Sequence, residues 1–231
     1  MYYGLETGIT MILFFAALIV TIYAQARINS AYGKYKKIKA GKNLTGSDVA
    51  RQILDKNGLS NIYVVATSGE LSDHYDPTRK VVKLSNDIFN GNTIAAISVA
   101  AHECGHAIQD KENYKFMRIR AALVPIVNLV SYLGYFGLIV SLFAGITGYL
   151  KLSLLTLVAT MVFQLVTLPV EFDASNRALK ELEKLGMINP DEKKGVKSML
   201  GAAAFTYVAS LLSTLMNILR IVIMINNNRD E

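Results

Sequence analysis

The sequence predicts a mostly α integral membrane protein with four transmembrane helices and a small α+β layer. Hydrophobic residues make up 52% of the 231 residues, and the charged residues are gathered so that four long apolar stretches lie between them. Two short β-branched stretches lie within one of the charged segments, which indicates strands in the polar part. The length suits a single domain spanning residues 1–231.

The apolar stretches cover about residues 7–26, 122–146, 152–170 and 202–225. Each is long and apolar enough to cross a bilayer, which takes about 20 apolar residues. In lipid, a helix satisfies all of its backbone polar groups internally, so we expect each span to be helical. A short turn at residues 147–151 would join the second and third spans into a helical hairpin.

Cations near the span ends predict the orientation, because cytoplasmic loops are enriched in Lys and Arg. Sixteen of them fall on one side, against Lys151 and Arg229 on the other. The sixteen are Arg27, Lys34, Lys36, Lys37, Lys39, Lys42, Lys111, Lys115, Arg118, Arg120, Arg177, Lys180, Lys184, Lys193, Lys194 and Lys197. We therefore predict a multi-pass protein of the cell membrane with residues 27–121 and 171–201 in the cytoplasm.

A competing hypothesis is a signal peptide cleaved after residues 24–26 (AQA), which would place the following loop outside the cell. The segment carries Glu6 and lacks the cations that normally lead a signal peptide, so we favour an uncleaved span.

The polar segments predict short helices and strands. Ser47 is a suitable N-cap for a helix that ends near residues 57–58, and a second helix should run from residue 92 or 93 past Gln109. Residues 61–66 (NIYVVA) and 80–85 (KVVKLS) read as strands, with a turn-rich stretch between them. A further helix should follow the third span and end at Gly186, and another should begin at Pro190.

The lysines of the 80–85 strand suggest an edge strand, and two readings of that edge stay open. Lysines protect an exposed edge from aggregation. An extended peptide could also add beside it.

The strongest chemical signal is the pattern HECGH at residues 102–106. His102 and His106 are four residues apart, which places both imidazoles on one helix face, where they can hold one zinc ion. Zinc lowers the pKa of a bound water to about 7. Glu103 would take that proton as general base and pass it to the leaving amine. Cys104 points away from this face and, as the only cysteine, forms no internal disulfide.

A catalytic zinc site needs a third protein ligand, and no third histidine follows at a suitable spacing. The downstream carboxylates are Asp110, Glu112, Glu171, Asp173, Glu181, Glu183, Asp191 and Glu192. Asp110 and Glu112 are too close in sequence to turn back easily. We favour Glu171 because it follows an apolar span directly, where a bare carboxylate is costly unless it is paired or metal-bound. The alternative is an ordinary interfacial helix end after Pro169.

Three segments resemble the bacterial family of neutral zinc membrane metallopeptidases: residues 102–109 (HECGHAIQ), 73–77 (DHYDP) and 168–175 (LPVEFDAS). The resemblance extends over nearly the whole chain, including residues 202–209 (AAAFTYVA). More distantly, the chain is similar to the heat-shock membrane proteases and CAAX prenyl proteases, which are gluzincins.

The gluzincins add a glutamate from an E-x-x-A-D pattern, and Glu171 and Ala174 match that pattern. Ser175 stands where the aspartate belongs, and Asp173 lies roughly on the opposite helix face from Glu171. The residue that orients a zinc-binding histidine is therefore not predicted.

His74 is the remaining histidine. It is a candidate catalytic residue that would donate to the developing oxyanion or contact substrate. The alternative is a solvated histidine in a turn. Tyr75 and Tyr114 are weaker candidates for the same role.

Together these features predict a zinc-dependent, membrane-embedded endopeptidase with a zincin-like catalytic layer. Its substrate would be a peptide or a membrane protein. The alternatives are a catalytically silent zinc-binding membrane scaffold and an enzyme acting on a non-peptide amide. Nucleic acid is not an expected partner, because the basic segments lack interleaved aromatic residues and no glycine-rich phosphate loop is present. The sequence leaves the oligomeric state open.

Overall fold

A computed structural model describes residues 2–144 and 149–227. Its helices are α1 (Tyr2–Tyr35), α2 (Gly46–Lys56), α3 (Asn86–Phe89), α4 (Ile94–Lys111), α5 (Lys115–Ala144), α6 (Tyr149–Lys184) and α7 (Pro190–Asn227). Its strands are β1 (Tyr63–Thr67), β2 (His74–Asp76) and β3 (Val81–Ser85). The predicted fold class, a mostly α membrane protein with a small sheet, is confirmed.

Four helical stretches are long and apolar enough to cross a membrane: Gly8–Tyr35, Lys115–Gly137, Leu150–Lys184 and Pro190–Asn227. They contain or overlap the four predicted spans, and each helix continues well beyond the apolar residues. The turn predicted at residues 147–151 is wrong for its last three residues, because residues 149–151 are helical. Residues 145–148 lie outside the described part of the chain.

The chain forms two compact units. The first comprises Met1–Gln25, Arg118–Leu168 and Thr206–Glu231, and the second comprises Ala26–Met117 and Pro169–Phe205. Within the first, α5 and α6 approach closely at two glycines. A Cβ on Gly134 would lie 2.2 Å from Thr156 Oγ1, and one on Gly137 would lie 2.2 Å from Leu152 Cδ2. Small residues at such positions let helix backbones pack tightly in lipid. Whether the chain behaves as one domain stays a prediction.

The second unit holds the sheet, whose strand order is β1-β3-β2. β3 pairs in parallel with β1 and antiparallel with β2. The prediction that residues 80–85 form an edge strand is therefore wrong, because β3 is central and four of its five residues are buried. β2 was missed because its three residues lie in a stretch rich in turn-forming residues.

Helix ends follow capping chemistry. Thr45, rather than the predicted Ser47, is the N-cap of α2: its hydroxyl accepts from the Asp48 N–H at 3.1 Å, and Asp48 Oδ2 accepts from the Thr45 N–H at 2.9 Å. α4 begins at Ile94, close to the predicted start at residue 92 or 93, and Thr93 is its N-cap, accepting from the Ala96 N–H. The helix predicted after the third span is not separate, since α6 continues through Pro169 to Lys184 before Gly186 at φ +60°.

The core of the second unit lies where α2 and α4 pack beside the sheet. Ile53 and Leu54 of α2, Ile97 of α4, and Val82 and Leu84 of β3 are almost completely buried. This burial anchors α4 along its length, so the side chains on its other face are held in fixed positions.

Candidate metal centre

The two motif histidines project from the buried helix α4. His102 and His106 lie one turn apart with ring centroids 4.8 Å from each other. Cys104 lies between the two histidines in sequence and is fully buried. Its thiol donates to the Ala50 carbonyl at 3.6 Å. Burial raises the pKa of this thiol well above its usual value. Cys104 is therefore buried and lies outside the group of candidate ligands, as its place on the other helix face predicts.

Glu171 of α6 lies against both histidines. Its Oε2 is 3.3 Å from His102 Nε2 and 3.6 Å from His106 Nε2, and the carboxylate is 3% exposed. The three candidate ligand atoms all lie within 4.8 Å of one another. The structure therefore brings together the residues that the sequence singled out as His-His-Glu ligands.

The arrangement fits a tetrahedral zinc ion. With ligand bonds of about 2.0–2.1 Å, tetrahedral donors are separated by roughly 3.3 Å. The two nitrogen–oxygen distances to Glu171 lie close to that value. Two imidazoles and one carboxylate are also the donor set of a catalytic zinc site with one position left for water or substrate.

The tautomer of His106 gives a second reason to expect a cation here. Gln109 Nε2 donates to the Val170 carbonyl and to Asp173 Oδ2, both at 2.8 Å, so its Oε1 must face His106 Nδ1 at 3.0 Å. An amide oxygen only accepts, which places the His106 proton on Nδ1. A neutral ring would then turn the lone pair of Nε2 toward the Glu171 carboxylate. Only a proton or a metal ion relieves that repulsion.

The electrostatics of His106 agree with this reading. Burial by itself lowers the pKa of His106, but the hydrogen bond with Glu171 and the charges of Glu103 and Glu171 raise it above its usual value. The surroundings therefore favour a positive charge at this position, which a zinc ion supplies.

Each histidine has an outer partner that sequence reasoning did not identify. Ser175 Oγ lies 3.2 Å from His102 Nδ1, and Gln109 holds His106 as described. Asp173 reaches His106 only through Gln109 and is itself paired with Arg177 at 2.5 Å. The signals were available: Ser175 occupies the aspartate position of the gluzincin pattern, and Gln109 follows His106 by three residues on the same helix side.

Gly105 allows the two metal-bearing helices to meet. A Cβ at this position would lie 2.5 Å from the carbonyl oxygen of Ala174 in α6. Any side chain would push α6 away from α4, and with it Glu171 and Ser175. The glycine inside the HECGH pattern thus has a packing role that brings the candidate ligands together.

Glu103 is nearly buried, and β2 holds its carboxylate. Its Oε2 accepts from the Tyr75 backbone N–H at 2.9 Å. Glu103 is not one of the three clustered ligand candidates, yet its charge acts on His106. This position agrees with a base beside the metal rather than on it.

His74 and the two candidate tyrosines lie in different surroundings. His74 is exposed in β2, and its Nδ1 lies 2.8 Å from the Ser72 carbonyl. Within the described residues, no hydrogen bond joins His74 to the His-His-Glu group. Tyr75 contacts Glu103, whereas Tyr114 lies under the Arg177 guanidinium, 5.9 Å from ring centroid to Cζ.

The other candidate carboxylates near the site have different partners. Asp110 pairs with Lys80 at 2.6 Å and accepts from the Tyr75 hydroxyl at 2.8 Å. Glu112 pairs with Arg177 at 2.6 Å. Neither lies in the His-His-Glu group, in keeping with the expectation that they are too close in sequence to turn back.

Comparison with known proteins agrees with this site. The family model described as "Putative neutral zinc metallopeptidase" matches residues 10–226. The chain is 43% identical over 216 residues to "Putative membrane protease YugP" of Bacillus subtilis (strain 168), covering 94% of this chain and 96% of that protein. No solved structure matches the chain significantly. The match over nearly the whole chain, together with a cluster suited to zinc, shows that this protein belongs to the neutral zinc metallopeptidase family.

Proposed function

We propose that the protein is a membrane-embedded zinc endopeptidase of the gluzincin type, with His102, His106 and Glu171 as zinc ligands and Glu103 as general base. The observation that carries this proposal is the His-His-Glu group around the buried Glu171, with the separate, buried carboxylate of Glu103 beside it. A site that held zinc only for stability would need no such carboxylate. The silent scaffold is therefore not favoured.

When bound, zinc supplies Lewis-acid activation of a water molecule and of the peptide carbonyl. His102 and His106 would hold the ion through Nε2, since Ser175 and Gln109 occupy their Nδ1 atoms. The Tyr75 N–H holds Glu103 Oε2, so Oε1 is the atom that takes the proton of the attacking water. The same carboxyl group then delivers the proton to the leaving amine.

The substrate class that fits this geometry is an extended peptide or membrane-protein segment. β2 is at the edge of the sheet, and its central residue contacts Glu103. The peptide-binding edge considered for residues 80–85 is therefore better assigned to β2. A substrate segment running along it would bring a peptide bond close to Glu103.

Removal of the metal tests the proposal directly. We expect the detergent-purified protein to contain zinc and to cleave casein or a membrane-protein substrate. A chelator should remove both the zinc and the hydrolysis, and added zinc should restore both, because the ligands are neutral imidazoles and a carboxylate that bind reversibly. Hydrolysis that survives complete loss of metal would contradict the proposal.

We further propose that the catalytic residues face the cytoplasm in a multi-pass protein of the cell membrane. The sixteen cations beside the polar segments carry this orientation. A reporter inserted near Lys56 should behave as cytoplasmic, and one fused after Asn227 as external. The reverse pattern would overturn the topology and revive a cleaved signal peptide.

His74 is proposed to act on the transition state. Its Nδ1 donates to the Ser72 carbonyl, so only the protonated ring can also donate from Nε2 to an oxyanion. His74→Ala is expected to lower kcat by about 10²–10³ while zinc content stays unchanged. Steady-state kinetics and metal analysis of the same sample measure this, and an unchanged kcat would return His74 to a solvated surface role.

A further inference from the structure

Tyr75 connects the proposed base to a buried charged pair. Its backbone N–H donates to Glu103 Oε2 at 2.9 Å, and its phenol hydroxyl donates to Asp110 Oδ2 at 2.8 Å. Both acceptors belong to α4, at positions seven residues apart, about two helical turns. One residue of the short strand β2 is therefore attached to α4 at two points.

Asp110 is attached to Lys80 as well. The Lys80 ammonium lies 2.6 Å from Asp110 Oδ2, and the side chain of Asp110 is 4% exposed. A carboxylate buried to this extent is costly unless it is paired and hydrogen-bonded. The phenol and the ammonium together meet that need.

Lys80 reaches Asp110 from an unusual backbone conformation. It has φ +51°, in the left-handed region that a lysine rarely adopts. Lys80 directly precedes β3, and its backbone carbonyl accepts from the Tyr63 N–H of β1 at 3.1 Å. Such backbone strain persists only where the surrounding contacts hold it in place.

We propose that Tyr75 is a positioning residue for Glu103, and that Asp110 and Lys80 anchor it. The anchor keeps the Tyr75 N–H in the one place where it can hold Glu103 Oε2, which leaves Oε1 directed to the reacting water. β2 has only three residues and pairs with a single strand, so its own ladder gives little rigidity. This proposal rests on the function proposed for Glu103.

The test uses single-atom and charge changes in the anchor, with the full chain purified in detergent. Tyr75→Phe, Asp110→Asn and Lys80→Met should each lower kcat, measured per bound zinc, by roughly 10- to 100-fold, the range that follows from a misplacement of up to about 1 Å. KM and zinc content should stay unchanged. Unlike Lys80→Met, Lys80→Arg should keep most of the wild-type kcat, because it retains a positive charge at the same backbone position.

A double-mutant cycle separates positioning from general destabilisation. Glu103→Asp shortens the side chain and breaks its contact with the Tyr75 N–H. In that background, Tyr75→Phe should lower kcat by less than about twofold, since the coupled partner is already displaced. An additive loss would overturn the proposal. Tyr63→Phe, a change to an exposed tyrosine of β1, serves as the matched control and should leave kcat unchanged.

Failure of this inference is distinguishable from failure of the proposed function. If Glu103→Gln loses hydrolysis while Tyr75→Phe and Asp110→Asn keep wild-type kcat, the positioning role is wrong and Glu103 remains the base. If Glu103→Gln itself keeps wild-type hydrolysis, the proposed function is wrong and the positioning role fails with it.

Discussion

Replacing Glu103 with Gln is expected to remove nearly all hydrolysis while the protein keeps its zinc. The amide has almost the same size and can still accept from the Tyr75 N–H through its oxygen, so the local structure should persist. An amide cannot take a proton from the attacking water. We expect kcat to fall by about 10²–10⁴, the usual contribution of a positioned general base.

The measurement is peptide hydrolysis and zinc content determined on the same preparation. Loss of zinc along with activity would make Glu103 a ligand rather than the base. Wild-type hydrolysis by Glu103→Gln would contradict the peptidase mechanism itself. Either outcome is readily separated from misfolding, because misfolded protein would lose zinc and the cooperative unfolding transition together.

Replacing Glu171 with Ala is expected to act on the metal. The carboxylate is buried beside both histidines, and its removal takes away one of three proposed zinc ligands. Zinc affinity should fall by more than the roughly 10–100-fold that loss of an outer partner causes, and hydrolysis should fall with zinc occupancy. Competition with a zinc chelator of known affinity measures this change.

Glu183→Ala is the matched control on the same helix. Glu183 is partly exposed and pairs with Lys193, so its loss should leave zinc and hydrolysis intact. Glu181 is a poorer control, because it is largely buried and accepts from Asn57 Nδ2 at 2.8 Å, which joins α6 to the end of α2. Full zinc occupancy in Glu171→Ala would exclude Glu171 as a ligand and direct attention to Asp173 or Glu112.

The architecture was predictable where local pattern decides it. The four apolar stretches predict helices because lipid leaves the backbone no other partner, and four long apolar helices contain or overlap them in the described part of the chain. The β-branched stretches predict β1 and β3, and the helix start predicted near residue 92 or 93 lies within two residues of the start of α4. Each of these signals lies within a few residues of the structure that it predicts.

Strand order was not predictable, because it depends on which residues meet across the fold. The lysines of residues 80–85 suggested an edge, yet β3 is central. Lys80 is used to neutralise the buried Asp110, and only Lys83 is partly exposed on the strand itself. β2 was missed because three residues between turns carry no periodic signal of their own. Its existence depends on pairing with β3.

By itself, the sequence determined the membrane-spanning pattern and the presence of a two-histidine motif with an adjacent glutamate, since both are written in consecutive residues. Only the tertiary structure decided which distant groups meet that motif. Glu171 and Ser175 meet the histidines because α6 continues as one helix through Pro169 and passes against Gly105 of α4. Contacts between residues far apart in sequence depend on how helices pack, and packing is decided by the complementary shapes of both surfaces.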